Sequence, residues 1–342
     1  MVTIKDLARI AGVSPTTVSN ILHGRVNKVS PETLKKVEKI IKETNYVPNM
    51  GGRLLAKHGS RIIGVIITYE IRTEKNAIQD PFYSEIIGAL EESIREQGYF
   101  MMLYTSGGYE ESIRIASAWN IEGLIVLGSP PKETRKFIND TSVPVVFIDA
   151  YIDEEDDQFV NVGLQDYEGA YNMTKYLIEN GHEKIAFFAD SENPVGVDKY
   201  RLNGYIQALK DANINFKADW FIPVDFRKDV RHAMLKEFAK GRLKNFTALF
   251  FASDFYAVDT MNLFFEMGIS TPEDISIVGF DNNILSEQSR PKLTTVNQNV
   301  SKKAATAVKL LLDIIKGKDI DMKVIMLPTE IVVKRSVRNL NQ

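Results

Sequence analysis

The chain has 342 residues, too many for one ordinary domain and enough for two or three. It has no cysteine, which excludes disulfides, a thiol nucleophile and zinc-finger chemistry. No apolar run is long enough to span a bilayer and no secretion signal precedes the first polar segment, so a cytoplasmic protein with no membrane partner is expected. The net charge of −3 is segregated: residues 1–61 hold 11 Lys/Arg and 4 acids, which is +7 and leaves −10 for the rest. A basic head ahead of an acidic body is the pattern of phosphate attraction.

The head reads as three short helices. Thr3 is placed to cap the first, with Asp6 three residues on, and Ile4, Leu7, Ala8 and Ile10 give an apolar face at helical spacing. Gly12 supplies the positive φ of a tight turn. Ser14 caps the second helix and Pro15 takes its first position, where a missing N–H does no harm. Val18, Ile21 and Leu22 turn inward, leaving Pro15, Thr16, Thr17, Ser19 and Asn20 outside. Ser30-Pro31 repeats the start for a third helix, whose Leu34, Val37, Ile40 and Ile41 complete a small core. A plain three-helix bundle is the bland reading. The small hydrogen-bonding outer face and the charge favour a helix-turn-helix that reads DNA.

The segment 49–60 comes next, with glycines flanking a short apolar and basic patch. Each glycine costs a helix about 1 kcal/mol against alanine, so a linker is expected here unless a partner folds it. From Arg61 apolar strands alternate with amphipathic helices. RIIGVIIT, YFMMLYT, GLIVLG and VPVVFID form one series, and KIAFFAD, WFIPV, ALFFAS and SIVGF a second, with helices between. Continuous apolar strands in this alternation imply parallel sheets covered on both faces. Two series imply two lobes. The charged stretch 69–80 is read as a solvated loop, with a lid or partner surface as the alternative.

The motif T-I-x-D-x-A-x-x-A-G-V-S-x-x-T-V-S from Thr3 to Ser19, Tyr46-x-Pro48-Asn49, and Ile275 to Asp281 (ISIVGFD) resemble the lactose-repressor (LacI/GalR) family of bacterial transcription regulators, along the whole chain. The resemblance implies a helix-turn-helix head at 1–48, a hinge helix or linker at 49–60, and an effector-binding and dimerisation core at 61–342. That core is an α/β, two-lobed fold of the periplasmic-binding-protein kind, with two parallel-sheet, Rossmann-like subdomains. Lobe one is placed at about 61–161 and 293–322, lobe two at about 162–292 and 323–342. Crossovers fall near Val162, Pro291 and Met322, and the final strand pair returns to the second lobe. The hinge helix would press Leu55 into the minor groove, although Gly51-Gly52 depart from the family's helix formers there.

By the same resemblance Pro15, Thr16 and Asn20 read bases in the major groove, Ser14, Thr17, Ser19 and Lys28 are positioning or phosphate contacts, and Thr3 and Asn49 are further DNA-binding residues. Asn pairs bidentately with adenine, so an A·T preference is expected opposite Asn20. The partner is a pseudo-palindromic double-stranded operator bound by a homodimer. No leucine heptad tail is present, so no tetramer is expected. His23 is read as a helix-end residue with no metal role.

Ligands of open parallel sheets sit at the carboxyl ends of strands. The resemblance places Asp149, Arg201, Phe226, Ser253, Asp281 and Gln298 on effector contacts, with Thr68, Phe82 and Tyr83 on the first-lobe wall. Asp254 is read either as a further contact or as a helix cap, and Asp190 as a cap or loop residue. Carboxylates accept from a diol, a guanidinium donates a fork of hydrogen bonds, and an aromatic plate covers a ring face. With Arg201 as the one cation identified, a neutral sugar acting as inducer of a carbohydrate-utilisation operon is the first expectation. A purine or nucleoside effector, or a global regulator with a protein co-effector, are the alternatives. No cofactor and no metal is expected. An enzyme is not expected either, because GVIITYEIR lacks the glycine-rich turn of a dinucleotide site and no nucleophile–base pair stands out.

Overall fold

The computed structural model describes residues 2–22, 25–27, 29–44, 46, 59–68, 77–106, 108–152, 156 and 158–341. The chain divides into two compact units, Met1–Ser60 and Arg61–Gln342.

The first unit contains α1 (Ile4–Ala11), α2 (Pro15–Leu22) and α3 (Pro31–Glu43). Thr3 and Asp6 form a reciprocal capping box at the start of α1, and Gly12 ends it at φ 69°. Ser14 Oγ accepts from Thr17 N at 3.1 Å, and Ser30 accepts from Thr33 N ahead of the proline that opens α3. A cap of this kind contributes about 1 kcal/mol. Leu7, Ala8, Ala11, Val18, Ile21, Val37 and Ile40 are buried together. Ile10, grouped with the apolar face in the sequence, is instead half exposed, because the face toward α2 and α3 is filled by Leu7, Ala8 and Ala11.

The second unit alternates strand and helix. Its elements are β1 (Ile62–Thr68), α4 (Pro81–Glu96), β2 (Phe100–Ser106), α5 (Tyr109–Ala118), β3 (Gly123–Leu127), α6 (Pro131–Asp140), β4 (Val145–Ile148), β5 (Asn161–Leu164), α7 (Asp166–Glu179), β6 (Ile185–Ala189), α8 (Gly196–Asp211), β7 (Phe221–Pro223), α9 (Lys228–Gly241), β8 (Ala248–Phe251), α10 (Asp254–Glu266), β9 (Ser276–Asp281), α11 (Ile284–Gln288), β10 (Thr294–Asn297), α12 (Val300–Ile315), β11 (Val324–Leu327) and β12 (Glu330–Val332). One sheet has the order β11-β5-β4-β3-β1-β2 and the other β12-β10-β9-β8-β6-β7. All pairings are parallel except β10 with β12. Strands such as β3, β6 and β8 are buried at every position, as parallel strands covered on both faces must be. The helical cover of the first sheet includes α4 and α12, which pack on each other, and that of the second includes the close pair α7 and α8.

Three crossings join the lobes, and they fall later than the sequence placed them. The strand containing Val162 pairs with β4 and β11 and belongs to the first sheet. Residues 294–297 pair with β9 and belong to the second sheet, although the sequence assigned them to lobe one. The final strand pair is split, with β11 in the first sheet and β12 in the second. The chain therefore crosses at Gln165, at Gln298–Asn299 and at Pro328–Thr329. Strands β5 and β10, NVGL and TTVN, are short and partly polar, so no apolar run marks them. Their membership comes from hydrogen-bonded neighbours remote in sequence.

Candidate functional site

Two surfaces carry the residues singled out by the sequence. On the first unit, Thr3, Ser14, Pro15 and Thr16 are exposed, and Thr17, Ser19 and Asn20 are half-buried. Thr3 Oγ1 is engaged with Asp6 Oδ2 at 2.7 Å, and the Ser14 and Thr17 hydroxyls stand 2.9 Å apart. Pro15, Thr16 and Asn20 lie on α2, whose inward residues Val18 and Ile21 fix which face turns outward. Lys28, Asn49 and Leu55, together with His23 and most of the hinge segment, lie outside the described residues.

On the second unit a cleft of about 550 Å³ opens where the carboxyl ends of the strands of both sheets converge. That volume is within the usual range for a small-molecule site. Thr68, Phe82, Tyr83, Asp149, Arg201, Phe226, Ser253, Asp281 and Gln298 all line it. The topology explains their meeting: Thr68 ends β1, Asp149 follows β4, Ser253 follows β8, Asp281 ends β9 and Gln298 sits in the crossing after β10.

Asp254 is the exception. It is fully buried and does not line the cleft. Its Oδ1 accepts from Thr295 Oγ1 at 2.6 Å and its Oδ2 from Asn283 N at 3.2 Å. The cap of α10 is Ser253, whose hydroxyl accepts from Phe255 N. Asp190, read as a cap or loop residue, does line the cleft beside Asp198, and burial with the neighbouring Asp190 charge pushes the Asp198 carboxyl well above its ordinary value. The cleft also includes cations that the sequence did not single out, Lys228 and Arg231. Arg231 is committed elsewhere: it donates to Asp259 at 2.8 Å and to the carbonyls of Asp225 and Phe226.

Arg201 is held from three sides. Its Nε donates to Asp166 Oδ1 at 2.7 Å, its Nη1 to the Ala252 carbonyl at 2.6 Å, and the guanidinium stacks 3.7 Å from the centre of the Phe280 ring. Burial works against its charge, yet Asp166, Asp281 and Asp198 raise its pKa above the ordinary arginine value. Asp166 also accepts from Tyr151 Oη at 2.8 Å. Burial, with the Asp254 charge, pushes the Asp281 carboxyl well above its ordinary value; Gln298 Nε2 donates to it at 2.5 Å. Asp80, the cap of α4, is likewise raised by burial. Asp166, Tyr151 and Asp198 were missed because a lone Asp or Tyr carries no local signal. The α7–α8 contact that brings Asp166 to Arg201 spans 35 residues.

The matched families agree with this architecture. Residues 3–49 match the model described as "Bacterial regulatory proteins, lacI family", and residues 174–337 match the "Periplasmic binding protein-like domain". The chain is 33% identical, over the whole of both chains, to the HTH-type transcriptional repressor PurR of Vibrio vulnificus (strain CMCP6). The chain belongs to the LacI family. Among solved structures, this LacI-family protein resembles the Lac repressor dimer bound to operator and the anti-inducer ONPF, with a TM-score of 0.82 and 25% identity, covering 98% of this chain and 99% of that one. It also resembles the transcriptional regulator CelR–cellobiose complex, with a TM-score of 0.72 and 27% identity, covering 98% and 100%. It is a DNA-binding transcriptional repressor and not an enzyme. Among the described residues no helix is long and apolar enough to cross a membrane.

Proposed function

We propose that this LacI-family repressor binds a pseudo-palindromic operator as a homodimer, and that a purine nucleobase or nucleoside in the cleft sets its operator affinity. The observation that carries the effector class is the pairing of aromatic plates with hydrogen-bonding edges. Phe82, Tyr83, Phe226 and Phe255 line the same cleft as Asp149, Asp281 and Arg201. Rings supply stacking area for a flat base, carboxylates accept from its N–H groups, and a guanidinium donates to its carbonyl or ring nitrogen. The PurR relatives move this reading ahead of the sugar that the sequence put first. On the head, α2 would lie in the major groove with Pro15, Thr16 and Asn20 at base edges, while Thr3, Ser14, Thr17, Ser19, Lys28 and Asn49 position the backbone.

A sugar is the second reading. It is favoured by the surplus of acceptors in the cleft, which suits a polyol, and by the CelR–cellobiose neighbour. Titration calorimetry of the full chain with hypoxanthine, guanine, inosine, D-ribose and cellobiose separates the two. Each binder is then added to an operator-binding assay to give the sign of control. Heat from the purines and none from the carbohydrates is the expected result. Binding by carbohydrates alone would replace the purine with the sugar, and silence from all five would remove both.

A further inference from the structure

At the back of the cleft stands a lysine withdrawn from solvent. Lys303, in the first turn of α12, is 0% exposed and is not among the cleft-lining residues. Its Nζ donates to Asp149 Oδ2 at 2.6 Å and to Gln298 Oε1 at 2.9 Å, and lies 5.4 Å from the centre of the Phe82 ring. An ammonium is costly to bury and is retained where its partners are well placed.

Those partners are two cleft residues, and the lysine fixes what each presents. An amide whose oxygen accepts from an ammonium must turn its NH2 elsewhere, and Gln298 Nε2 donates to Asp281 Oδ1 at 2.5 Å. Asp149 spends Oδ2 on Lys303 and leaves Oδ1 buried with no hydrogen-bond partner among the described residues. A buried carboxylate oxygen without a donor is unfavourable, and one bordering a ligand cleft is completed by a donor on the ligand. The backbone holds Asp149 at φ 53° and Asp281 at φ 141°, both in the region L-residues avoid, so both carboxylates are held in place against local preference.

We infer that Lys303 is a positioning residue for effector recognition: it leaves Asp149 Oδ1 free to accept an N–H or O–H from the ligand, and it locks the Gln298 amide against Asp281. This deepens the proposed function and rests on the cleft being the effector site. It also links the lobes, since Asp149 directly follows a strand of the first sheet, Asp281 ends a strand of the second, and Gln298 lies in the crossing between them.

The groups facing Asp149 decide its protonation once the lysine charge is removed. Burial pushes its carboxyl above the ordinary value; Lys303 from α12 opposes this most strongly, Asp166 from α7 adds to it, and Arg201 from α8 opposes it. Tyr151, on its own loop, is in electrostatic contact as well. Without the ammonium, Asp149 takes up a proton at higher pH and changes from acceptor to donor.

Two readouts on the full chain test this, with Lys303→Met, Lys303→Gln and Lys303→Arg. Lys303→Gln keeps a donor without the charge and stands in if Lys303→Met does not fold. In the ligand-free protein, the Asp149 carboxyl carbon is followed by NMR against pH and identified by its loss in Asp149→Asn. The two charge-removing variants should titrate at higher pH than the parent, and Lys303→Arg should return toward it. In calorimetry with hypoxanthine, inosine and cellobiose, whichever probe binds the parent should weaken at least tenfold in the charge-removing variants. The deficit should shrink as pH rises and Asp149 ionises again, and Lys303→Arg should stay within about threefold. An unmoved Asp149 titration overturns the inference, and so does a moved titration with probe binding within twofold of the parent at every pH. If no probe binds the parent, the effector class proposed above falls, and the carboxyl titration alone decides for or against Lys303.

Discussion

Asp254 shows how one residue can keep its sequence-level promise and change its role. It follows a strand end, as a cleft residue should, yet its carboxylate is spent inward on Thr295 and Asn283. Burial pushes its pKa up to about 6, against the hydrogen bonds that favour the charged form. A carboxyl whose folded pKa lies above its unfolded value takes up protons on folding. Its contribution to stability is therefore complete below about pH 4 and lost as the pH rises through about 6, a change of roughly 3 kcal/mol at most. Asp254→Asn should remove that dependence, so that its melting temperature gains on the parent's between pH 4 and 7. Parallel profiles in a thermal-shift series would show that Asp254 does not carry it. Arg201 is the converse. It lines the cleft, as the family resemblance implied, but its partners Asp166, Ala252 and Phe280 come from three other stretches of the chain.

At the scale of elements, the helix starts follow directly from neighbouring residues. Thr3, Ser14 and Ser30 cap the head helices where the sequence put them, because a cap needs only its own side chain and an amide two or three positions on. Helix pairing is less local. In the second sheet's cover, α7 and α8 approach so closely at Gly204 that a β-carbon there would run into the backbone of Tyr167. Backbone, unlike a flexible side-chain end, cannot move aside cheaply. Gly204→Ala should therefore cost about 1–3 kcal/mol, read as a lower urea midpoint with an unchanged slope. The same contact carries the Asp166–Arg201 ion pair, so effector affinity should fall with stability. An unchanged midpoint would mean that the helices can separate freely.

At the scale of the whole molecule, charge segregation and two-lobed topology serve different ends. The +7 of residues 1–61 predicts operator binding that weakens steeply with salt. For six or more phosphate contacts the loss between 50 and 200 mM is on the order of a thousandfold or more. Fluorescence anisotropy with a labelled operator checks it, and an affinity flat in salt would exclude a phosphate-driven grip. The head's helices, its charge and the alternation of strand with helix were determined by the sequence itself, since helical spacing, caps and continuous apolar runs are properties of adjacent residues. The lobe crossings, the inward turn of Asp254, the cleft places of Asp190 and Asp198, and the Lys303–Asp149 pair were decided by the tertiary structure alone. Each depends on groups far apart along the chain, 154 residues in the case of Lys303 and Asp149, and which oxygen faces a cleft is set only once both sheets have formed around it.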